Sequence, residues 1–228
     1  MTYIIAEAGT SHAHEKSTER VRSALHCVTE AARARADAVK FQMFSVGDLF
    51  CPMPGDENRR PRWDASIMEI AEWLQVKSAA KNLGLDLLVS IFQNSAIELA
   101  HSLELRYIKV ASRARRSFPF IAFPEHEFLV STDIQFARPS RWHLMYCVPE
   151  YPAPLWKARW DDRMEGLSDH SGAVWSGIDA ICRGARFLEV HFCPDELDPG
   201  PDKPVCLTVE QLRQLTECRD AIAGMQAD

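Results

Sequence analysis

The sequence predicts an α/β protein of the (β/α)8 TIM-type barrel class, shortened in its central crossovers. Three observations carry that prediction. Eight short apolar runs recur along the 228 residues, with helical periodicity strongest near the two ends. The segment 164–172, MEGLSDHSG, is followed at helix-and-strand spacing by 187–192, FLEVHF, and each carries a histidine where its apolar run breaks into polar residues. Polar residues fall in or just after the other runs too, which is where the active rim of such a barrel lies.

Taken in order, residues 3–8 form an isoleucine-rich run that stops at Gly9, as a buried parallel strand does. Glu7 inside it needs cations or donors, so it belongs either to a structural ion pair or to a site. After a polar loop at 10–16, Ser17 is placed to cap a helix with Val21, Ala24, Leu25 and Val28 on one face. Strand two, 38–44, has Lys40 in its middle. At a sheet edge that lysine would face water; in a barrel it would point inward at an anion. The stretch 45–62, with Pro52, Pro54, Gly55 and Pro61, reads as a long rim loop of the kind that covers substrates. Asp64 then caps a helix running to Lys81, with Ile67, Ile70, Ala71, Leu74 and Ala79 on its periodic face. Strand three is 85–92, a short helix follows at 95–101, and strand four, 107–112, sets a second lysine, Lys109, within an apolar run.

The middle of the chain is thin. Pro119 and Pro124 exclude a long helix between strands four and five, and only DIQFARPSRWH separates strand five, 128–132, from strand six, 144–148. Parallel strands ordinarily need a dozen or more connecting residues, so this flank is either covered by short turns or left open for a partner chain. Phe118, Phe120, Phe123, Phe136 and Trp142 either form that contact or pack under the shortened loops. Strands seven and eight flank a helix at 173–184, and a last helix, 208–225, carries Leu212, Leu215, Cys218, Ile222 and Met225 on one stripe.

Composition narrows the function. A hydrophobic fraction of 46% suits a single domain, 1–228, with a sizeable core. A net charge of -6 argues against a nucleic-acid or membrane-surface partner and for a small molecule. Seven scattered cysteines without a C-x-x-C pair look like reduced cytoplasmic thiols, and the N-terminus has neither a basic leader nor a membrane-length apolar run. A right-handed crossover sets the ends of neighbouring parallel strands side by side, so His170 and His191 can approach one divalent cation; taken singly, each histidine would read as a structural hydrogen-bonding group.

Eight segments then resemble one family, the sialic acid synthases (N-acetylneuraminate synthases) with their pseudaminic and legionaminic acid relatives. They are IIAEAGTSH at 4–12, ADAVKFQMF at 36–44, IKVAS at 108–112, LVST at 129–132, YCVPEYP at 146–152, GLSDHSG at 166–172, LEVHF at 188–192 and GPDK at 200–203. The resemblance implies a transferase that condenses phosphoenolpyruvate with an aldehyde sugar or related aldehyde to a 2-keto-3-deoxy acid, releasing phosphate. It implies Mn2+ or Mg2+ on His170 and His191, phosphoenolpyruvate on Lys40 and Lys109 with Ser90, Ser112, Ser131 and Ser168, and Tyr151 at its carboxylate. By the same resemblance Glu7 and Asp202 meet the acceptor, and Glu189 orders water or the metal shell. A cytoplasmic homodimer or higher oligomer is expected, with no C-terminal antifreeze-like domain after the barrel.

The chain also departs from the family pattern. Ser11-His12-Ala13-His14 replaces N-H-x-G, Arg113 and Ala114 replace a glycine and a glutamate, Ser90-Ile91-Phe92-Gln93 ends strand three, and Pro149, Val190 and Lys203 are unusual. These changes imply a phosphoenolpyruvate and metal half that is kept and an acceptor half that is rebuilt, so the second substrate need not be N-acetylmannosamine. Two other readings stay open: a metal-dependent lyase or isomerase on the same barrel, and a non-catalytic partner subunit.

Overall fold

The structure, a computed structural model, describes residues 1–118 and 126–225. Eight parallel strands close into a barrel in sequence order: β1 Tyr3–Gly9, β2 Ala38–Met43, β3 Asp86–Ile91, β4 Tyr107–Val110, β5 Glu127–Thr132, β6 Trp142–Tyr146, β7 Gly166–Asp169 and β8 Phe187–His191. The helices are α1 Ser17–Arg33, α2 Asp56–Ser66, α3 Ile70–Asn82, α4 Asn94–Ser102, α5 Val174–Cys182 and α6 Val209–Met225, with a 3-10 turn at Gly200–Val205. The expected fold class is thus observed. Among the described residues no helix is long and apolar enough to cross a membrane.

The period-two alternation of the strands separates two cores. Outward residues such as Ile4, Ala6, Val39, Phe41, Val89, Ile91, Ile108 and Leu188 join the helices in one large cluster. Inward, Ile5, Ala38, Leu88, Tyr107, Leu129, Met145 and Phe187 fill the lower barrel. Gly166 completes this floor, because a Cβ there would lie 2.5 Å from the Phe187 carbonyl oxygen. Two residues further along, the eight inward positions are Glu7, Lys40, Ser90, Lys109, Ser131, Cys147, Ser168 and Glu189, and all of them line one cavity. A step of two keeps the same face, so each apolar floor residue is followed by a group that can bind or react.

Helix boundaries depart from expectation at the rim. The stretch 45–62 is only partly loop, since α2 begins at Asp56 and keeps Pro61 inside it. Asp64 therefore sits within α2 and does not cap the next helix; Glu69 caps α3 through a reciprocal pair with Glu72. The buried face of α3 is Glu72, Trp73, Val76 and Ala80, leaving Ile70 and Leu74 exposed. Trp73 decides this, because its indole packs edge-on against Phe41 and His12. Ser17 makes no capping bond either: its hydroxyl donates to Glu72, and Lys16 is the N-cap.

The central crossovers are short. Nine residues, 133–141, join β5 to β6 without a helix. Phe118 is buried and edges against Phe128 and Phe50, while Phe136 and Trp142 pack half-buried on the outer core, so these three lie under the loops. Phe120, Phe123, Pro119 and Pro124 lie outside the described residues.

Candidate active site at the strand ends

All twelve residues singled out from the sequence line a single cavity of about 560 Å3 at the C-terminal ends of the strands: Glu7, Lys40, Ser90, Lys109, Ser112, Ser131, Tyr151, Ser168, His170, Glu189, His191 and Asp202. Its floor is a buried set of two cations and two anions. Lys40 Nζ donates to Ser90 Oγ at 2.7 Å and lies 2.7 Å from Glu7 Oε2 and 3.7 Å from Glu189 Oε2. Lys109 Nζ donates to Ser131 Oγ at 2.6 Å and lies 3.2 Å from Glu189 Oε1, which also accepts from Ser168 Oγ at 2.9 Å. Strand register brings these groups together, since Glu7 faces Lys40 and Ser90 faces Lys109 across adjacent strands.

This pairing splits the two carboxylates. Burial pushes Glu7 up to about 7, with Lys40 resisting and Glu189 adding to the rise. Burial works against ionised Glu189 as well, but Lys109, Lys40 and His191 outweigh it and hold the group down at about 2. Lys40 is raised, because Glu189 and Glu7 overcome the burial that disfavours its charge. At neutral pH the floor therefore keeps Glu189 and Lys40 charged, while Glu7 is poised to hold or release a proton.

The histidines stand beside this floor. A carbonyl can only accept, so the 2.9 Å bond from His170 Nδ1 to the Val148 oxygen places the proton on Nδ1. The lone pair of Nε2 then accepts from the Tyr151 hydroxyl at 2.9 Å; the tyrosine is half exposed through its ring while its hydroxyl reaches inward. His191 Nδ1 is buried without a hydrogen-bond partner, 3.7 Å from Asp202 Oδ2, and the two imidazole centroids are 5.5 Å apart. Burial lowers both histidines to about 3, leaving them neutral, which is the form that ligates a metal. Among the described residues no group of three or more His, Cys, Asp or Glu has metal-binding geometry. Two neutral imidazoles, one with an unsatisfied ring nitrogen, nevertheless suit a divalent ion whose remaining positions go to substrate and water.

The outer half of the cavity was not read from the sequence. Phe44 stacks on Trp63 at 5.0 Å and on Phe92 at 4.9 Å, with Leu49, Cys51, Met53 and Arg59 beside them. Two arginines fasten α2 over this half. Arg113 forks onto both Asp56 oxygens, at 3.1 and 2.5 Å, and donates to the Cys51 carbonyl at 2.6 Å. Arg62 donates to Thr10 Oγ1 at 2.8 Å and to Asp198 Oδ2 at 2.8 Å, tying α2 to the loops after β1 and β8. The proline-rich composition of 45–62 concealed this helix, although Glu57 and Asp56 ahead of the Arg59, Arg60 and Arg62 run were a usable signal.

The chain matches the NeuB family over residues 27–127 and 124–227. It is 26% identical to the spore coat polysaccharide biosynthesis protein SpsE of Bacillus subtilis and 25% identical to the N-acetylneuraminate-9-phosphate synthase of Drosophila melanogaster. Each alignment covers 94% of this chain and 66% of the relative, so the chain spans just under two thirds of those proteins. Among solved structures, the N-acetylneuraminic acid synthetase of Leptospira borgpetersenii superposes with a TM-score of 0.78 at 21% identity, covering 100% of this chain and 85% of that one, a likeness of fold.

Proposed function

We propose, from the premise that this chain belongs to the NeuB family, that it condenses phosphoenolpyruvate with an aldehyde, forming a 2-keto-3-deoxy acid and releasing phosphate. The observation that carries the reading is the convergence of Lys40 and Lys109, with the hydroxyls of Ser90, Ser131 and Ser168, in a closed floor beside two neutral imidazoles. Phosphoenolpyruvate is small and multiply anionic, and lysines backed by hydroxyl donors suit its phosphate and carboxylate. In the reaction, C3 bonds to the aldehyde carbon, a water oxygen bonds to C2, and the bond from C2 to the phosphate oxygen breaks.

The chain's own groups have work at each point. Lys40 and Lys109 hold the departing phosphate and balance its charge. Glu7, near 7, can take a proton from the water that adds to C2 or give one to the oxygen of the former aldehyde. Glu189 keeps both lysines protonated and aimed. Tyr151 and the α2 cover limit water at the mouth. His170 and His191 would hold the divalent ion, which when bound polarises the acceptor's carbonyl oxygen.

Ala114 favours one competing reading. It is buried in the turn after β4, where the resemblance expects a glutamate, so no acid projects from that position. A barrel with that loss could bind phosphoenolpyruvate and run a lyase or isomerase reaction instead. Incubating the protein with phosphoenolpyruvate, Mn2+ and a panel of aldehydes separates the two. Phosphate released in step with a new 2-keto-3-deoxy acid supports the synthase. Tight phosphoenolpyruvate binding with no condensation across the panel supports the alternative, and no binding at all removes both.

A further inference from the structure

The cavity is larger than phosphoenolpyruvate requires, and its two halves differ in chemistry. The floor is filled with paired charges. The outer half is a three-ring stack, Trp63 on Phe44 on Phe92, with Phe44 and Trp63 themselves buried. Such a surface favours the C–H side of a carbon chain over a hydroxyl-rich edge. Arg59, on the first turns of α2, lines the same cavity.

Arg59 differs from its neighbours on α2. Arg60 reaches Asp64 Oδ1 at 3.0 Å and Arg62 is taken up by Thr10 and Asp198. Among the described residues Arg59 makes no hydrogen bond or ion pair. The acids near it are already engaged: Asp56 is forked by Arg113, and Asp202 accepts from Gln42 Nε2 at 3.2 Å. Its charge is felt by Asp56 and Asp202, but it hydrogen-bonds to neither, and an exposed guanidinium lining the cavity suits a planar two-oxygen face, such as a carboxylate or phosphate presents. The floor cations cannot serve a second anion, because Lys40 and Lys109 are committed to Glu7, Glu189 and the first substrate.

Resting on the synthase reading, we infer that the second substrate is an aldehyde with an anionic group, carboxylate or phosphate, at the end remote from its carbonyl. That group meets the Arg59 guanidinium, and the carbon chain between lies along the Trp63, Phe44 and Phe92 stack. This makes Arg59 a specificity-determining residue supplied by α2, the part of the rim where sequence expectation and structure differ most.

The test compares wild type, Arg59→Gln and Arg59→Lys on matched acceptors: a neutral hexose, its 6-phosphate and the corresponding 6-carboxylate. The ratio of kcat/KM for anionic over neutral acceptor should exceed one in wild type, fall about tenfold to a hundredfold in Arg59→Gln and recover in part in Arg59→Lys. Whichever anionic acceptor shows the larger fall identifies the group. A ratio unchanged by Arg59→Gln, or a wild-type preference for the neutral sugar, overturns the inference while leaving the synthase reading in place. If no aldehyde releases phosphate, the synthase reading fails. The inference is then decided by calorimetric titration of sorbitol 6-phosphate and gluconate into the phosphoenolpyruvate-loaded protein. At least tenfold weaker binding to Arg59→Gln upholds the anion contact, and equal binding to both proteins refutes it.

Discussion

Replacing Lys40 by methionine tests the charge balance of the cavity floor. The ammonium lies 2.7 Å from Glu7 Oε2, so at an effective dielectric constant of about 20 the pair attraction is about 6 kcal/mol before desolvation is counted. Removing one partner of a buried pair costs about 3–5 kcal/mol. Here the loss is bounded, because Glu7 can escape by protonation. Folded Glu7 already sits at about 7, so at pH 7 it is half protonated in the wild type and completing that protonation costs less than about 1 kcal/mol. We therefore expect Lys40→Met to lose less than about 1 kcal/mol through Glu7 at pH 7, with the loss growing as pH rises. The sign of its pH dependence follows from linkage. Glu7 folds with its value raised to about 7, so its protonated form stabilises the fold at low pH and that contribution is lost as pH rises through the folded value. Without Lys40 the folded value is higher still, so the variant goes on losing stability above pH 7 where wild type has levelled, by about 1.4 kcal/mol per pH unit. Urea unfolding at pH 6, 7 and 8.5 measures this, and the Lys40→Met/Glu7→Gln double variant should flatten it. A stability difference that does not grow between pH 7 and 8.5 would show that the two groups are not coupled in solution.

Other consequences are open to direct measurement. Titrated with phosphoenolpyruvate by calorimetry, Lys109→Ala should bind about tenfold to a hundredfold more weakly, as loss of a charge-assisted contact requires; unaltered affinity would place the anion elsewhere. His170→Ala and His191→Ala should each abolish tight Mn2+ binding with little change in unfolding midpoint, since a two-imidazole site with open positions adds less to folding than a closed one. His12, buried and bonded through Nε2 to the Ser66 carbonyl at 3.0 Å, is lowered to about 4 by burial. The unfolded chain therefore takes up its proton first, and stability present above pH 6.5 is lost as pH falls toward 4, by about 3 kcal/mol. His12→Gln should lose correspondingly less between pH 7 and 4.5, and equal acid sensitivity would refute the assignment. Arg113→Ala, which frees Asp56 and the Cys51 carbonyl, should raise KM for the acceptor more than for phosphoenolpyruvate; equal effects on both would argue against a cover specific to the outer half.

The fold was legible because its two periodicities are local. The alternation in YIIAEAG, AVKFQM and YIKV sends alternate residues to opposite sides of the barrel wall, and a single apolar-to-polar step of two residues marks each strand's end. Helix faces were less legible. On α3 the stripe of Ile70, Ala71 and Leu74 is as periodic as the one actually buried, and only the bulk of Trp73 against Phe41 and His12 selects between them. That choice depends on a partner strand some thirty residues earlier, which no window along α3 contains. Ser17 failed as a cap for a similar reason, since its hydroxyl finds Glu72 from a distant helix.

The same distinction explains why the floor of the cavity could be read and its outer half could not. Each floor residue is fixed by its own strand: once Lys40 and Lys109 point inward, closure of the barrel brings them to Glu7 and Glu189 without further instruction. The outer half has no such rule. Arg59 and Trp63 reach the cavity only because α2 is held across the rim, and what holds it are forks from Arg113 and Arg62 to residues 57 and 136 positions away in sequence. A change at Arg113 or Asp56 can therefore reshape the outer half without moving a lysine of the floor, since the two halves share a cavity but, among the described residues, no hydrogen bond joins α2 to Lys40 or Lys109. That independence is the physical basis on which the paired-charge floor can be retained while the outer half changes.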